Sequence, residues 1–398
     1  MHKKGKKLAI VIGASNESIY AIQSAKNLGL TVYAFDGNEN AQGLQYADKA
    51  FVVDIRDYKN VVKELKDEKP NIVLPVPIGR CLVTSGQLND YYQIKGISAE
   101  VCEKSVDKFL FHEILAKKNL RNCDCYLFNN KGSKIPSKFP VVFKPRFGSA
   151  SRDVFVLNNE KEFFKIINSL KPIKEDFVCE SFFEGQEYGI DGLVINKNLY
   201  TVLIRRKEIT KLPYRQCIGY YSVMENKNKE LYTRINKYLE QIVKALGINN
   251  AVFHADIIDN GQESFIIELS PRPSGHNLHN LFTKVATGID MIDLFIKSIL
   301  NDEIKLDSIR PNVKPTLISY FNFEKCRIKK IPNKEYLFEK YPLLAYVCNI
   351  SENDYMETIK NGKILMTRGY YILQADNDVK LNEYRNNLLN EFEVLYEE

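Results

Sequence analysis

The sequence predicts a mixed α/β and α+β chain in three parts, and three observations carry that prediction. Residues 7–103 alternate short apolar runs with helix-like stretches, the rhythm of βαβ units around a small parallel sheet. Two later stretches, 139–157 and 251–270, each read as a pair of apolar strands folded about a turn, so the central region carries antiparallel sheet. From Pro311 onward the chain turns to short strands (Thr316–Phe321, Ala345–Ile350, Gly369–Ile372) and a closing helix over Leu381–Leu395, a small β-rich domain that closes on the central one.

A chain of 398 residues, 44% hydrophobic and 27% charged, has the composition of a globular protein with a large core and two or three domains. A net charge of +6, with Lys and Arg scattered rather than gathered in a stripe, argues against nucleic acid. No apolar run approaches the roughly 18–20 residues of a membrane span. Met1–Lys7 followed by Leu8–Ile12 imitates a secretion leader, but that run stops at Gly13, short of the roughly 7–15 residues such a core needs. The eight cysteines are dispersed, and Cys123-x-Cys125 has no second pair to complete a metal site, so they read as reduced thiols of a cytoplasmic protein.

In the first part, Leu8–Ile12, Thr31–Phe35, Ala50–Val53 and Asn71–Leu74 are strands, with helices over Asn16–Leu28 and Tyr58–Lys66. Gly13 and Asp36 suggest a dinucleotide site, but the stretch offers one glycine where that fingerprint needs three. Arg80 follows the fourth strand at its carboxyl end, where open sheets place ligand loops; it suits an anionic substrate group and equally a solvated loop.

Residues 104–119 form an amphipathic helix with Ser105 as N-cap and Lys108 in the first turn, where a cation opposes the helix dipole unless an anion sits there. Next, Val141–Phe143 and Val154–Leu157 flank a loop of Gly148, Ser149 and Ser151, with Lys144 at its root. Small residues there let backbone N–H groups approach phosphate oxygens. After a helix over Glu160–Leu170, a strand ends at Glu180, turns at Gly185 and resumes at Glu187. Such a hinge can present backbone groups to an adenine edge and a carboxylate to a ribose. Leu199–Arg205 continues the sheet into the basic run Arg205–Lys207, and Leu231–Leu246 is a helix closed by Gly247.

The third constellation is Ala251–His276. Asp259-Asn-Gly261 is a hairpin turn, and the antiparallel pairing it sets can bring Asp256 beside Glu268, with Ser270 on the same face and Arg272 beyond. Two adjacent half-buried carboxylates repel unless a cation lies between them, and oxygen-only ligation near phosphate favours Mg²⁺. His276-x-x-His279 lacks a third zinc ligand, and no Gly-x-Ser-x-Gly elbow occurs. Residues 280–300 read as one helix with Thr287-Gly288 inside it.

In this order, Lys108, Lys144…Gly148, Glu180…Glu187 and Asp256…Glu268-x-Ser270-x-Arg272 resemble the ATP-grasp superfamily of carboxylate–amine ligases, over nearly the whole chain. The resemblance implies a Rossmann-like domain over 1–103, an ATP-grasp domain over 104–310 (nucleotide clamp 104–186, metal and catalytic subdomain 187–310) and a C-terminal domain over 311–398. It implies that Lys108, Lys144, Gly148, Ser149 and Ser151 contact ATP phosphates, that Glu180 with Phe182 and Phe183 reads adenine, and that Glu187 holds the ribose. Asp256, Glu268 and Ser270 would bind Mg²⁺, with Mn²⁺ as a substitute. Arg272, Lys207 and Arg206 would be catalytic, and Arg80 and His276 would contact substrate. The 148–152 loop and the basic 205–215 segment would close over the reactants. Three positions depart from the family pattern: Asp153 and Ser270 replace a glycine and an asparagine, and Asp256 a longer glutamate.

The implied reaction phosphorylates a carboxylate, such as that of an amino acid, and passes the acyl group to an amine. A purine-pathway carboxylase or formate-using transferase is the alternative, and a non-catalytic ATP-binding protein a second. The partners are small-molecule acids and amines. Dimers are frequent in the superfamily, and the residues leave a homodimer open.

Overall fold

The computed structural model describes residues 6–121, 124–129, 135–148, 153–171, 174–211, 215–300 and 310–396. The first sheet is parallel, in the order β3-β2-β1-β4, from β1 (Leu8–Ile12), β2 (Thr31–Asp36), β3 (Lys49–Val52) and β4 (Ile72–Val73). Helices α1 (Ile19–Asn27) and α2 (Tyr58–Leu65) connect its strands, and all five residues of β1 are buried, as a parallel strand covered on both faces requires. Asp36 accepts the Ala14 N–H at 2.7 Å, so its carboxylate serves the turn after β1.

Three helices lead to the centre: α3 (Leu82–Tyr92), α4 (Ala99–Val106) and α5 (Lys108–Lys117). The expected single helix over 104–119 is therefore corrected to the end of one helix and the whole of the next. Asp107, not Ser105, is the N-cap: it accepts from Phe109 and Leu110 N–H, while the Ser105 hydroxyl is spent on the Val101 carbonyl.

A four-stranded antiparallel sheet follows, from β5 (Cys125–Phe128), β6 (Val141–Pro145), β7 (Phe155–Leu157) and β8 (Phe177–Ser181), in the order β5-β8-β6-β7. The hairpin read in the sequence is present, with Val141 opposite Leu157. Helix α6 (Glu160–Ser169) covers the sheet through Phe163, which packs with Phe143 and Phe177.

The largest sheet has eight strands. Its first five are β9 (Gln186–Ile195), β10 (Asn198–Ile209), β11 (Cys217–Val223), β12 (Ala251–Asp259) and β13 (Ser264–Ser270), with α7 (Lys229–Leu246) packed against it and stopped by Gly247 at φ +78°. The helix expected over 280–300 is broken: a π turn at Leu278–Phe282 runs into α8 (Thr283–Thr287), Gly288 takes φ +75°, and α9 (Met291–Leu300) restarts. The glycine read as a turn signal ends the first piece.

The C-terminal part contributes β14 (Thr316–Tyr320), β15 (Cys326–Lys330), α10 (Lys334–Lys340), β16 (Leu343–Cys348), β17 (Tyr355–Met356), α11 (Gly362–Arg368), β18 (Gly369–Gln374), α12 (Asp378–Asn390) and β19 (Glu393–Tyr396). Strands β14, β18 and β16 extend the large sheet, which runs β13-β12-β9-β10-β11-β14-β18-β16. The last helix ends at Asn390 rather than Leu395, because Glu393–Tyr396 pair with β15 in a small sheet, β17-β15-β19. Among the described residues no helix is long and apolar enough to cross a membrane.

Candidate active site

The parallel sheet, the four-stranded sheet and the large sheet together border a cavity of about 420 Å³. Lys108, Lys144, Gly148 and Glu180 line one side of it. Lys207, Asp256, Glu268 and Arg272 come from the large sheet and the segment after β13.

Lys108 is the first residue of α5 and its Nζ donates to the Gly148 carbonyl at 3.0 Å, joining the helix start to the loop after β6. Burial lowers its pKa against the pull of nearby Glu268. Lys144, near the end of β6, forms an ion pair with Glu180 on the adjacent β8. Arg121 Nη2 reaches the same carboxylate at 2.6 Å and His112 Nε2 lies 2.8 Å from it. Burial alone would raise the pKa of Glu180, yet Lys144, Arg121 and His112 hold it well below the usual range. Burial pushes His112 down to about 4, so its imidazole is neutral at neutral pH. Ser149 and Ser151 lie outside the described residues. Asp153, at the far end of that loop, has φ +54°, a conformation aspartate tolerates better than most residues.

Beyond Glu180 the chain crosses between sheets. Phe183 stacks on Phe265 of the large sheet with centroids 4.0 Å apart, and Arg215 lies 5.6 Å from the centre of the Phe182 ring. Glu187 opens β9 and pairs with Arg215 at 2.7 Å and Lys207 at 3.9 Å. All three site residues of this stretch, Phe182, Phe183 and Glu187, line the cavity.

On the large sheet the predicted register holds: Asp256 of β12 stands opposite Glu268 of β13. The cation expected between carboxylates is partly supplied by the chain, since Lys207 Nζ is 2.6 Å from Asp256. Burial opposes the charge on Lys207, but Asp256 and Glu187 hold its pKa well above the ordinary value. Burial would likewise raise Glu268, but His254, Lys108 and Arg272 pull it below the carboxylate range. His254 is positioned by its Nδ1, 3.1 Å from the Arg272 carbonyl, which leaves Nε2 3.7 Å from Glu268. Among the described residues no cluster of three His, Cys, Asp or Glu groups could hold a metal alone. Two carboxylates side by side are nevertheless a hard-oxygen donor set that phosphate oxygens and water can complete for Mg²⁺.

Three expected site residues are placed elsewhere. Arg206 alternates to the face opposite Arg205 and Lys207, lying 4.2 Å from the centre of the Tyr221 ring and 3.7 Å from Asp378, away from the cavity. Arg80 stacks over Phe147 at 4.4 Å, and the residues before it, Pro77–Gly79, line the cavity in its stead. Ser270 pairs in register with His254 and is not among the lining residues, so it stands one alternation beyond the acidic pair. His276 does line the cavity, at φ +62°; its N–H donates to Glu17 and its carbonyl accepts from Tyr320 at 3.0 Å. Arg121, His112 and Glu17 were missed by sequence reasoning. Each sits in an unremarkable local pattern and acquires its place through contacts 59 to 259 residues away in the chain.

Comparison with known proteins agrees with this geometry. Residues 137–280 match the family model of an ATP-grasp domain. The chain is 23% identical over 339 residues, 79% of its length and 81% of the relative's, to a formate-dependent phosphoribosylglycinamide formyltransferase of Prochlorococcus marinus. It is 28% identical over 232 residues, 54% of its length and 76% of the relative's, to a D-alanine–D-alanine ligase of Petrotoga mobilis. Its fold superposes on an L-amino acid ligase from Bacillus licheniformis with a TM-score of 0.80 at 19% identity, covering 99% of both chains. Residues 137–280 thus match an ATP-grasp domain, and the chain as a whole has the fold of that L-amino acid ligase.

Proposed function

We propose that the protein is an ATP-dependent carboxylate–amine ligase that forms an acyl phosphate and passes the acyl group to an amine, releasing ADP and phosphate. The observation that carries this reading is the opposition of Lys108 and Lys144 to the Asp256–Glu268 pair across one cavity. A triphosphate fits between cations on one wall and metal-holding carboxylates on the other. Phosphoryl transfer to a carboxylate needs positioning and charge neutralisation more than covalent help from the protein.

In this reading Lys108 and Lys144 hold phosphate oxygens, the segment after Glu180 holds the adenine, and Glu187 takes the ribose hydroxyls. Asp256 and Glu268 hold Mg²⁺, which supplies charge neutralisation on the phosphates when bound. Arg272 steadies the acyl phosphate, and Lys207, which pairs with Asp256, serves a phosphate oxygen. The division at 103/104, 186/187 and 310/311, a homodimer and a cytoplasmic location belong to the same reading.

A second reading, a formate-using transferase acting on an aminoribotide, is favoured by the span of the formyltransferase match, about four fifths of both chains. Product analysis by mass spectrometry separates them. The first predicts ADP, phosphate and an amide from ATP, Mg²⁺ and pooled amino acids; the second predicts ADP release only with formate and an aminoribotide. ATP turnover with neither set refutes both.

A further inference from the structure

We propose that Arg205 is the residue that grips the carboxylate of the acid substrate, and that this substrate is a small carboxylic acid with an apolar body; the inference rests on the ligase reading above. Arg205 is 1% exposed and lines the cavity. One of its nitrogens, Nη2, donates to Asp191 at 2.9 Å, and the other oxygen of Asp191 accepts from the Thr283 hydroxyl at 2.6 Å. The guanidinium is thereby fixed, and the Tyr220 ring lies 5.3 Å from it. Its Nε and Nη1 are buried and have no hydrogen-bond partner among the described residues. Ser274, whose buried Oγ also lacks a partner among them, lines the same cavity. Buried donors are almost always matched, so unmatched ones on a cavity wall mark the place of an absent acceptor.

The register says where that acceptor lies. Glu268, Asp256, Gly189 and Arg205 stand in one cross-strand row on β13, β12, β9 and β10. Gly189 has no side chain, and a Cβ there would come 3.2 Å from Arg205 Nη2 and 3.4 Å from Cζ. The guanidinium therefore leans across the glycine toward β12, whose Asp256 is the nearer half of the acidic pair. An anion gripped there would lie beside the reacting phosphate. A planar carboxylate suits the fork of a guanidinium. Asp191 already neutralises the arginine, which disfavours a dianion such as a sugar phosphate. Leu278, Tyr320, Leu365 and Met366 supply an apolar wall to the same cavity, which suits a hydrocarbon body and not a ribose.

The test uses the full-length protein with Mg²⁺ and the non-hydrolysable analogue AMP-PNP, titrated calorimetrically with 4-methylpentanoate and L-leucine and with their carboxamides. The expected result is that at least one acid binds the wild-type complex and its carboxamide does not. In Arg205→Lys, which keeps a cation for Asp191 but loses the fork, and in Gly189→Ala, the acid should bind at least about tenfold more weakly. The inference is overturned if no probe acid binds, if acid and carboxamide bind alike, or if both variants bind the acid as tightly as wild type. If Arg205→Lys does not fold, Gly189→Ala alone decides. AMP-PNP binding is read in the same titrations: its absence from wild type refutes the ligase reading, whereas its retention with no carboxylate discrimination refutes only this inference.

Discussion

Glu180→Gln is the substitution whose effect the structure fixes most closely. The carboxylate is 5% exposed and faces two basic side chains, Arg121 at 2.6 Å and Lys144. Unit charges about 4 Å apart attract by about 4 kcal/mol at an effective dielectric of 20, so two partners give a gross term near 8 kcal/mol. Desolvating the carboxylate offsets several kcal/mol of that. Glutamine keeps the shape and one acceptor but removes the charge, leaving two buried cations without their counter-ion. The net loss should be about 3–5 kcal/mol, the range for breaking a buried pair from one side, and a large share of a typical total of about 5–15 kcal/mol. Urea unfolding followed by circular dichroism measures it. Adding Lys144→Met to Glu180→Gln should recover part of the loss, because it removes one stranded cation. A loss below about 1 kcal/mol for Glu180→Gln would refute the picture of a charge cluster that needs its centre.

Acid should weaken the protein in two stages. His112 and His279 are pushed by burial from 6.5 to about 4, so the unfolded chain takes up protons first and stability falls as pH drops from about 6.5 to 4. The folded pKa of Glu180 is depressed, so its contribution is complete above the unfolded value near 4.3 and is lost only below it. Urea midpoints that stay flat between pH 6.5 and 4.5 would contradict the first stage. Glu268→Ala and Lys144→Ala should each abolish ATP-coupled turnover, by about 100-fold or more, with circular dichroism unchanged; full activity in a folded Glu268→Ala protein would remove the metal assignment. Gly192→Ala should destabilise by about 1–3 kcal/mol, since its Cβ would meet the Tyr200 backbone carbonyl oxygen and, at 2.6 Å, the Phe253 ring. An unchanged unfolding midpoint in Gly192→Ala would show that this core has room to adjust.

What could be read in advance was what local chemistry dictates. Alternation along Ala251–Asp259 and the Asp259-Asn-Gly261 turn were enough to predict that Asp256 faces Glu268, and the structure has that register. Strand periodicity also distinguishes Arg206 from its neighbours: the basic run was read as a unit, although adjacent residues of a strand face opposite ways. The cap at Asp107 was hidden because Ser105 is an equally good capping residue, and only the end of α4 at Val106 leaves Ser105 inside that helix and the aspartate at the start of the next. Arg121, His112 and Asp191 become site residues through pairings between distant elements, and no spacing rule encodes those. The same holds for the C-terminal strands, whose addition to β11 joins Gly219 to Ser319 across a hundred residues of chain.

Arg121 is bonded in two directions. Nη2 holds Glu180 in the four-stranded sheet, and Nη1 donates to the Ile266 carbonyl on β13, beside the Phe183–Phe265 stack and the 2.8 Å bond from the Tyr238 hydroxyl to the Leu120 carbonyl. These contacts form a seam along one side of the smaller sheet, close to β5 and β8, while β7 is the strand farthest from it. A jaw hung in this way opens like a door. On the ligase reading proposed above, β7 should swing through the widest arc while the side near β5 and β8 barely shifts, so the base can be seated before the phosphates are enclosed.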